Sequence, residues 1–181
     1  KRWIFEESLR TPMLVRWPGQ VAAGSENSQL ASVIDFAPTF LEAAGLSVPA
    51  DIQGKSMLPV LKGTAGPEWR KSFYYHYYEY PVPHHVRRHY GVVTDRYKLV
   101  HFYAPDVDYW ELYDREKDPN EMVNMLGKPG YEAIEKELRK EVARLRTELK
   151  VKDSDQAYEA MIQERIRNRP AAKKKAVNKA E

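Results

Sequence analysis

Hydrophobic positions along this chain change spacing from one region to the next, and each spacing predicts a different element. Met13-Leu14-Val15-Arg16-Trp17 is an apolar run held between Pro12 and the turn Pro18-Gly19. It is too short for a helix and is bounded by turn residues, which predicts a buried strand. Pro12 keeps Thr11 extended, so no helix runs through it, and the residues before it read as a charged loop shaped by a Glu6/Arg10 pair. Val21 to Gln29 is small and polar, a surface loop. From Asp35 the spacing turns helical: Phe36, Phe40, Leu41 and Ala44 share one face expected to pack in a core. Asp35 is placed to cap that helix, Pro38 lies in its tolerant first turn and Gly45 ends it. The turn at Gln53-Gly54-Lys55-Ser56 leads into the short apolar segment Met57 to Leu61, and Lys62 to Pro67 reads as a linker.

Beyond that linker the spacing becomes alternate. Phe73 to Tyr80, Tyr90 to Thr94, Tyr97 to Tyr103 and Trp110 to Asp114 are rich in aromatic and β-branched residues, and Asp95-Arg96 is a tight turn between two of them. Successive short strands with tight turns predict an antiparallel meander rather than further βαβ units. Tyr131 to Lys150 then returns to helical spacing, with Ile134, Leu138, Val142, Leu145 and Leu149 on one face, and that face is expected to cover the small sheet. Asp155 to Arg167 predicts a marginal helix, and Pro170 to Glu181 is Ala/Lys low complexity with no expected fold.

Composition narrows the function classes. With 181 residues, 43% hydrophobic and 30% charged, the chain is long enough for one domain core or for part of a larger one. It opens on Lys rather than Met, which reads as a piece of a longer or processed product. No apolar run reaches the roughly 20 residues a bilayer span requires, so no membrane partner is expected. The absence of cysteine excludes disulfides and thiolate metal sites. The net charge of +3 is uneven: from Glu164 onward seven cations face two anions, a net +5 that leaves the remainder at −2. No aromatic residue interleaves the terminal lysines, so the tail reads as solvated and no nucleic-acid partner is expected.

Candidate chemistry gathers in His84-His85-Val86-Arg87-Arg88-His89, between the first two small-sheet strands. A metal site would need three or four converging ligands. His85 and His89 converge only on a helix, which Pro81, Pro83 and the β-rich flanks oppose. A solvated basic loop is the plainest alternative. An anion-recognition loop is the third, since Arg offers a planar fork for sulfate or carboxylate and His donates near neutrality. The tyrosines at 75, 77, 78 and 80 would then stack on sugar faces. No phosphate-cradling Gly-rich loop, His-Glu-x-x-His or Gly-x-Ser-x-Gly is present. By composition alone Lys1 is an idle terminal cation.

Several separated strings nonetheless agree, in order, with one family. Lys1 followed by Phe5-Glu6, Arg10, Pro12 and Trp17-Pro18-Gly19 resembles the sulfatases just after their metal-binding region. So do Asp35-x-x-Pro38-Thr39-x-Leu41-x-x-Ala44-Gly45, Gln53-Gly54-x-Ser56 and Gly91-Val92-x-Thr94-x-Arg96-Tyr97-Lys98-Leu99. Glu111-Leu112-Tyr113-Asp114 with Asp118-Pro119-x-Glu121-x-x-Asn124 completes the set. The resemblance implies an α/β fold, the C-terminal part of an alkaline-phosphatase-like architecture, with residues 1–66 as the last elements of the large domain. Residues 67–152 would be a small antiparallel-sheet-plus-helix subdomain and 153–181 a basic tail. It implies that Lys1 contacts the substrate sulfate as a catalytic residue, and that His84, Arg87, Arg88 and His89 lie in a substrate-recognition loop. It further implies Ca2+ and a formylglycine held by upstream residues, because Cys/Ser-x-Pro/Ala-x-Arg and the metal-ligand segments are absent here. The expected activity is hydrolysis of sulfate esters of carbohydrates in a periplasmic or secreted protein, with this portion inactive alone. Two alternatives stay open: a phosphatase or phosphodiesterase of the same superfamily, and a non-catalytic carbohydrate- or anion-binding module.

Overall fold

A computed structural model describes residues 2–80, 84–104, 106–152 and 156–168. Its centre is a four-stranded antiparallel meander of β1 (Ser72–Tyr77), β2 (His89–Thr94), β3 (Tyr97–Ala104) and β4 (Val107–Asp114), hydrogen-bonded in that order. The alternation read from the sequence therefore sets the two faces. Val92, Leu99 and Leu112 are direct cross-strand partners with no exposed surface. They meet Leu138, Val142 and Leu145 of α4 (Glu132–Glu148), as its helical spacing predicts.

The opposite face is covered by the chain's own start. Residues 2–9 form an arm ending in the one-turn helix α1 (Glu6–Leu9), and Ile4 packs fully buried against Val93, Val100 and Phe102. Gly91 makes that approach possible: a Cβ there would lie 2.2 Å from the Leu99 carbonyl oxygen and 3.1 Å from the Ile4 Cδ1. The Tyr75 hydroxyl donates to the Arg2 carbonyl at 2.7 Å, tying the arm to the edge strand.

The arm is also fixed by charge, and not by the pair expected from the sequence. Glu6 does not reach Arg10; it takes Lys98 at 3.2 Å and Arg115 at 2.9 Å. Lys98 is wholly buried on β3 and also binds Glu121, whose Oε2 accepts the Glu6 backbone N–H at 3.0 Å. Two cations and two carboxylates thus close on one another, which offsets the cost of burying a lone ammonium. Burial pushes the Glu6 carboxyl up, but Lys98 and Arg115 outweigh it and leave it below the ordinary range.

Between arm and sheet the sequence reading needs further correction. Met13 to Trp17 is not a strand; it forms no ladder among the described residues, and Leu14 is 97% exposed. A strand needs a neighbour for its backbone, and none is supplied there. The predicted helix is present as α2 (Phe36–Ala43), preceded by a 3-10 turn at Val33–Asp35. Its apolar face is not in a core: Phe40 is 69% exposed, and Pro38 and Thr39 are the buried residues. Asp35 does not cap α2. Its buried carboxylate takes both guanidinium nitrogens of Arg70 at 2.6 and 2.8 Å and the backbone N–H groups of Ser32 and Lys55 at 2.8 Å.

Gly54 lets that loop close, since a Cβ there would sit 2.0 Å from the Ile34 carbonyl oxygen. Met57 and Val60, the latter on α3 (Leu58–Leu61), pack with Trp69 in a small separate cluster. The marginal helix appears as α5 (Gln156–Arg167). The low-complexity tail expected over 170–181 lies outside the described residues.

Candidate functional site

The candidate site lies at the end of the sheet where β1 passes to β2 and β3 to β4. The tight pairing of β2 with β3 brings the His/Arg segment against the β3–β4 turn. The Arg88 carbonyl accepts the Tyr103 backbone N–H at 2.9 Å, so the segment is held to β3 before β2 begins. Arg87 pairs with Asp106 and lies over the Tyr80 ring with its guanidinium carbon 4.9 Å from the centroid. Arg88 donates to the Tyr80 carbonyl at 3.2 Å. The guanidinium groups of both arginines are therefore gathered around one residue, Tyr80, on the way out of β1. The Asp106 bond holds Arg87 firmly cationic, against the small opposing effect of burial.

His89 is placed differently from its neighbours. It is the first residue of β2, and its register with Tyr77 and Phe102 puts it on the arm face. Its ring stacks on Trp3, Tyr75 and Tyr77 at 5.5–5.6 Å and is fully buried. Burial lowers its pKa, partly opposed by a 2.8 Å bond between its Nδ1 and the Arg87 carbonyl. A carbonyl only accepts, so Nδ1 carries the proton and the neutral ring leaves Nε2 as a bare acceptor. That Nε2 is buried without a partner among the described residues. His84 is half-buried and His85 exposed in the same segment.

The expected site residues thus divide. Arg87, Arg88, His84 and the aromatic side chains Tyr80 and Tyr77 lie along one end of the sheet, and His89 lies beneath them in the packing. Lys1 falls outside the described residues, but its neighbours Arg2 and Trp3 are fixed on the same sheet face as His89. Sequence reading missed two contributors, Asp106 and Trp3. Asp106 is a lone acid in a turn, and only the β3–β4 register brings it to Arg87. His89 had a legible signal: carrying the β2 alternation back from Val93 through Gly91 assigns it to the buried arm face. No group of three or more His, Cys, Asp or Glu able to hold a metal ion occurs among the described residues.

A small antiparallel sheet with one long helix on its face, preceded by a segment of short helices and loops, matches the C-terminal part of an alkaline-phosphatase-like fold. The chain belongs to the family described as N-sulphoglucosamine sulphohydrolase, C-terminal, which matches residues 1–148. It is 48% identical over 158 residues to the N-acetylglucosamine-6-O-sulfatase of Bacteroides thetaiotaomicron, covering 86% of this chain and 28% of that protein. It is 31% identical over 148 residues to human arylsulfatase A, covering 70% of this chain and again 28% of the relative. A solved protein in complex with its substrate, D-glucosamine-2-N,6-O-disulfate, superposes with a TM-score of 0.81 at 46% identity, covering 86% of this chain and 32% of that one. The chain therefore spans less than a third of the length of these relatives.

Proposed function

We propose that this chain is the C-terminal portion of a sulfatase that hydrolyses a sulfate ester on a glucosamine-type sugar. The family match across residues 1–148 carries the reading, and the relative solved with a sulfated glucosamine directs it to that substrate class. In this reading residues 1–66 complete a large domain whose remainder is the upstream part of the same polypeptide, and residues 67–152 form the small subdomain. Lys1 contacts the sulfate, where a compact cation stabilises charge gathering on the oxygens.

The substrate contacts of the sheet end divide by chemistry. His84, Arg87 and Arg88 face the sugar and its anionic groups, where a guanidinium gives directional, charge-assisted bonds. His89, enclosed by Trp3, Tyr75 and Tyr77, serves the loop from below by fixing the Arg87 carbonyl. Ca2+ and formylglycine, which the family resemblance implies, belong to upstream residues. The buried carboxylates and Glu6 are committed elsewhere (Asp35 to Arg70, Asp114 to Arg96, Glu6 and Glu121 to Lys98), and no group of three or more His, Cys, Asp or Glu gathers among the described residues.

The test is sulfate release from glucosamine 6-sulfate by the complete polypeptide, beside phosphate release from the matching phosphate ester. Sulfate release is expected, and a preference for the phosphate ester overturns the reading in favour of phosphate chemistry. Lys1→Ala is expected to lower kcat/KM by about 100-fold, the scale of losing one well-aimed donor to an oxyanion. His84→Ala should instead change the ratio of sugar sulfate to small aryl sulfate turnover; equal losses on both would remove His84 from recognition.

A further inference from the structure

A groove of about 910 Å³ lies on the helix side of the sheet, between β1, the last turns of α4 and the loop around Lys55. Residues 2–9 cover the other face, so the groove is separate from the arm and from the cage around His89. We propose that it binds a further stretch of a sulfated polysaccharide, as an accessory subsite for the chain that carries the scissile sulfate. This rests on the sulfated-sugar reading above and adds to it a second place of contact.

Its floor is aromatic and already fixed. Tyr74 and His76 of β1, with Tyr78 just past its end, line the groove with Trp69. Tyr78 is 41% exposed, and its ring stacks on His76 at 3.7 Å between centroids. His76 is in turn held between the Tyr74 hydroxyl at 3.1 Å and the Tyr103 hydroxyl at 2.6 Å, and Arg146 donates to the Tyr74 oxygen at 2.9 Å. A ring anchored this way offers an apolar face with a polar edge without further loss of side-chain freedom. A pyranose presents the complementary surface, an apolar C–H face rimmed by hydroxyls.

The rim supplies the charge. Lys55, Lys71, Lys150 and Lys152 line the groove and make no ion pair among the described residues. Glu141 and Glu148 share the single guanidinium of Arg144, which leaves that trio at −1. Glu68 adds another −1, and the C-terminal end of α4 about half a negative charge. Four lysines exceed the three contributions together, so the groove is cationic where its floor is aromatic. Lys150 is exposed just past the end of α4, at a backbone φ of +54°. Neutral sugar recognition would not need that surplus; a chain bearing sulfates does.

The test uses the complete polypeptide and dextran sulfate, with poly-glutamate as a polyanion lacking sugar rings. Replacing Lys71, Lys150 and Lys152 together by Ala should weaken dextran sulfate binding about tenfold at low salt, the sum of three exposed charge contacts. The loss should shrink as salt screens those charges. Turnover of a small aryl sulfate should stay unchanged, and so should the melting temperature. Tyr78→Ala should weaken dextran sulfate binding by an amount that salt does not alter. Unchanged dextran sulfate affinity in the triple variant overturns the proposal, and equal binding of poly-glutamate overturns its assignment to a glycan. A polypeptide that hydrolyses no sulfate ester but still binds dextran sulfate through these lysines would sink the proposed activity and leave the groove standing.

Discussion

The small sheet and the segment before it treat their apolar residues in opposite ways. In the sheet, Val92, Leu99, Val100 and Leu112 have no exposed surface, because α4 covers one face and the arm the other. In residues 11–48, Leu14, Val33, Phe40 and Leu46 are each at least 59% exposed, and Met13, Val15, Ile34, Phe36 and Val48 are partly so. Scattered exposed apolar residues are ordinary, but a run of them on one short stretch marks a surface that something else covers. The polar anchors of that stretch are nevertheless complete, since Asp35 is buried with Arg70 and Thr39 donates to the Asp35 carbonyl at 2.6 Å. A segment with finished internal bonds and an unfinished apolar face is shaped to be one layer of a larger body. The proposed large domain accounts for this.

The sharpest way to break the comparison is to damage the sheet where charge, rather than packing, joins it to the arm. Lys98→Met removes the cation that Glu6 and the buried Glu121 share and leaves both to Arg115, which binds Glu6 at 2.9 Å but reaches Glu121 only at 3.8 Å. Leaving a buried carboxylate without its partner should cost about 3 kcal/mol, read as a shift in the urea midpoint. A loss below about 1 kcal/mol would mean that the arm is held by its packing and the Tyr75 bond rather than by charge. Leu99→Ala, on the helix face, should cost about the same through the cavity it opens. The two differ in kind: only Lys98→Met should expose the arm, and limited proteolysis near Arg2 and Arg10 reads that difference.

Acid should loosen the sheet at a second buried carboxylate. The Arg96 guanidinium holds Asp114 down to about 2 against the opposing effect of burial, and the Tyr131 hydroxyl at 3.0 Å assists. A carboxyl whose folded pKa lies below its unfolded value stabilises the fold above the unfolded pKa. That contribution is lost as the pH falls from about 4 towards 2. Because Arg96 is 38% exposed, solvent screening reduces the effect, and about 1 kcal/mol is expected. Asp114→Asn should flatten the stability profile over that window and, lacking the carboxylate, should be less stable at neutral pH by about that amount. An unaltered acid limb in the variant would place the titration elsewhere.

How much of this was legible follows from the range of each interaction. The four strands, their meander and α4 come from local spacing, because alternate and helical periods are recorded in neighbouring residues. The family strings carried the family. What stayed hidden is the pairing of distant charges. Glu6 meets Lys98 and Glu121 from the far ends of the fold, and Asp35 meets Arg70 across a linker. Sequence offered nearer candidates, Arg10 for Glu6 and a helix cap for Asp35, and local plausibility favoured them. Met13 to Trp17 and the Phe36/Phe40 face failed for a different reason. Their patterns are those of buried elements, but the partners that would bury them are not among the described residues.

The smallest effect distinguishes the two regions most directly. Phe40→Ser replaces a side chain that is 69% exposed and whose ring contact is Phe36, at 6.2 Å between centroids. In this chain the change should move stability by no more than about 0.5 kcal/mol, the usual range for surface substitutions. It should also reduce binding of a hydrophobic dye and any self-association, because it breaks an apolar patch. In the complete polypeptide the same substitution should cost about 2–3 kcal/mol or more, since there a buried ring is exchanged for an unsatisfied hydroxyl. Comparing the urea midpoints of both pairs isolates what the upstream part contributes. Equal small shifts in both would mean that α2 faces solvent in the complete protein, and residues 11–48 would then need a partner outside the polypeptide.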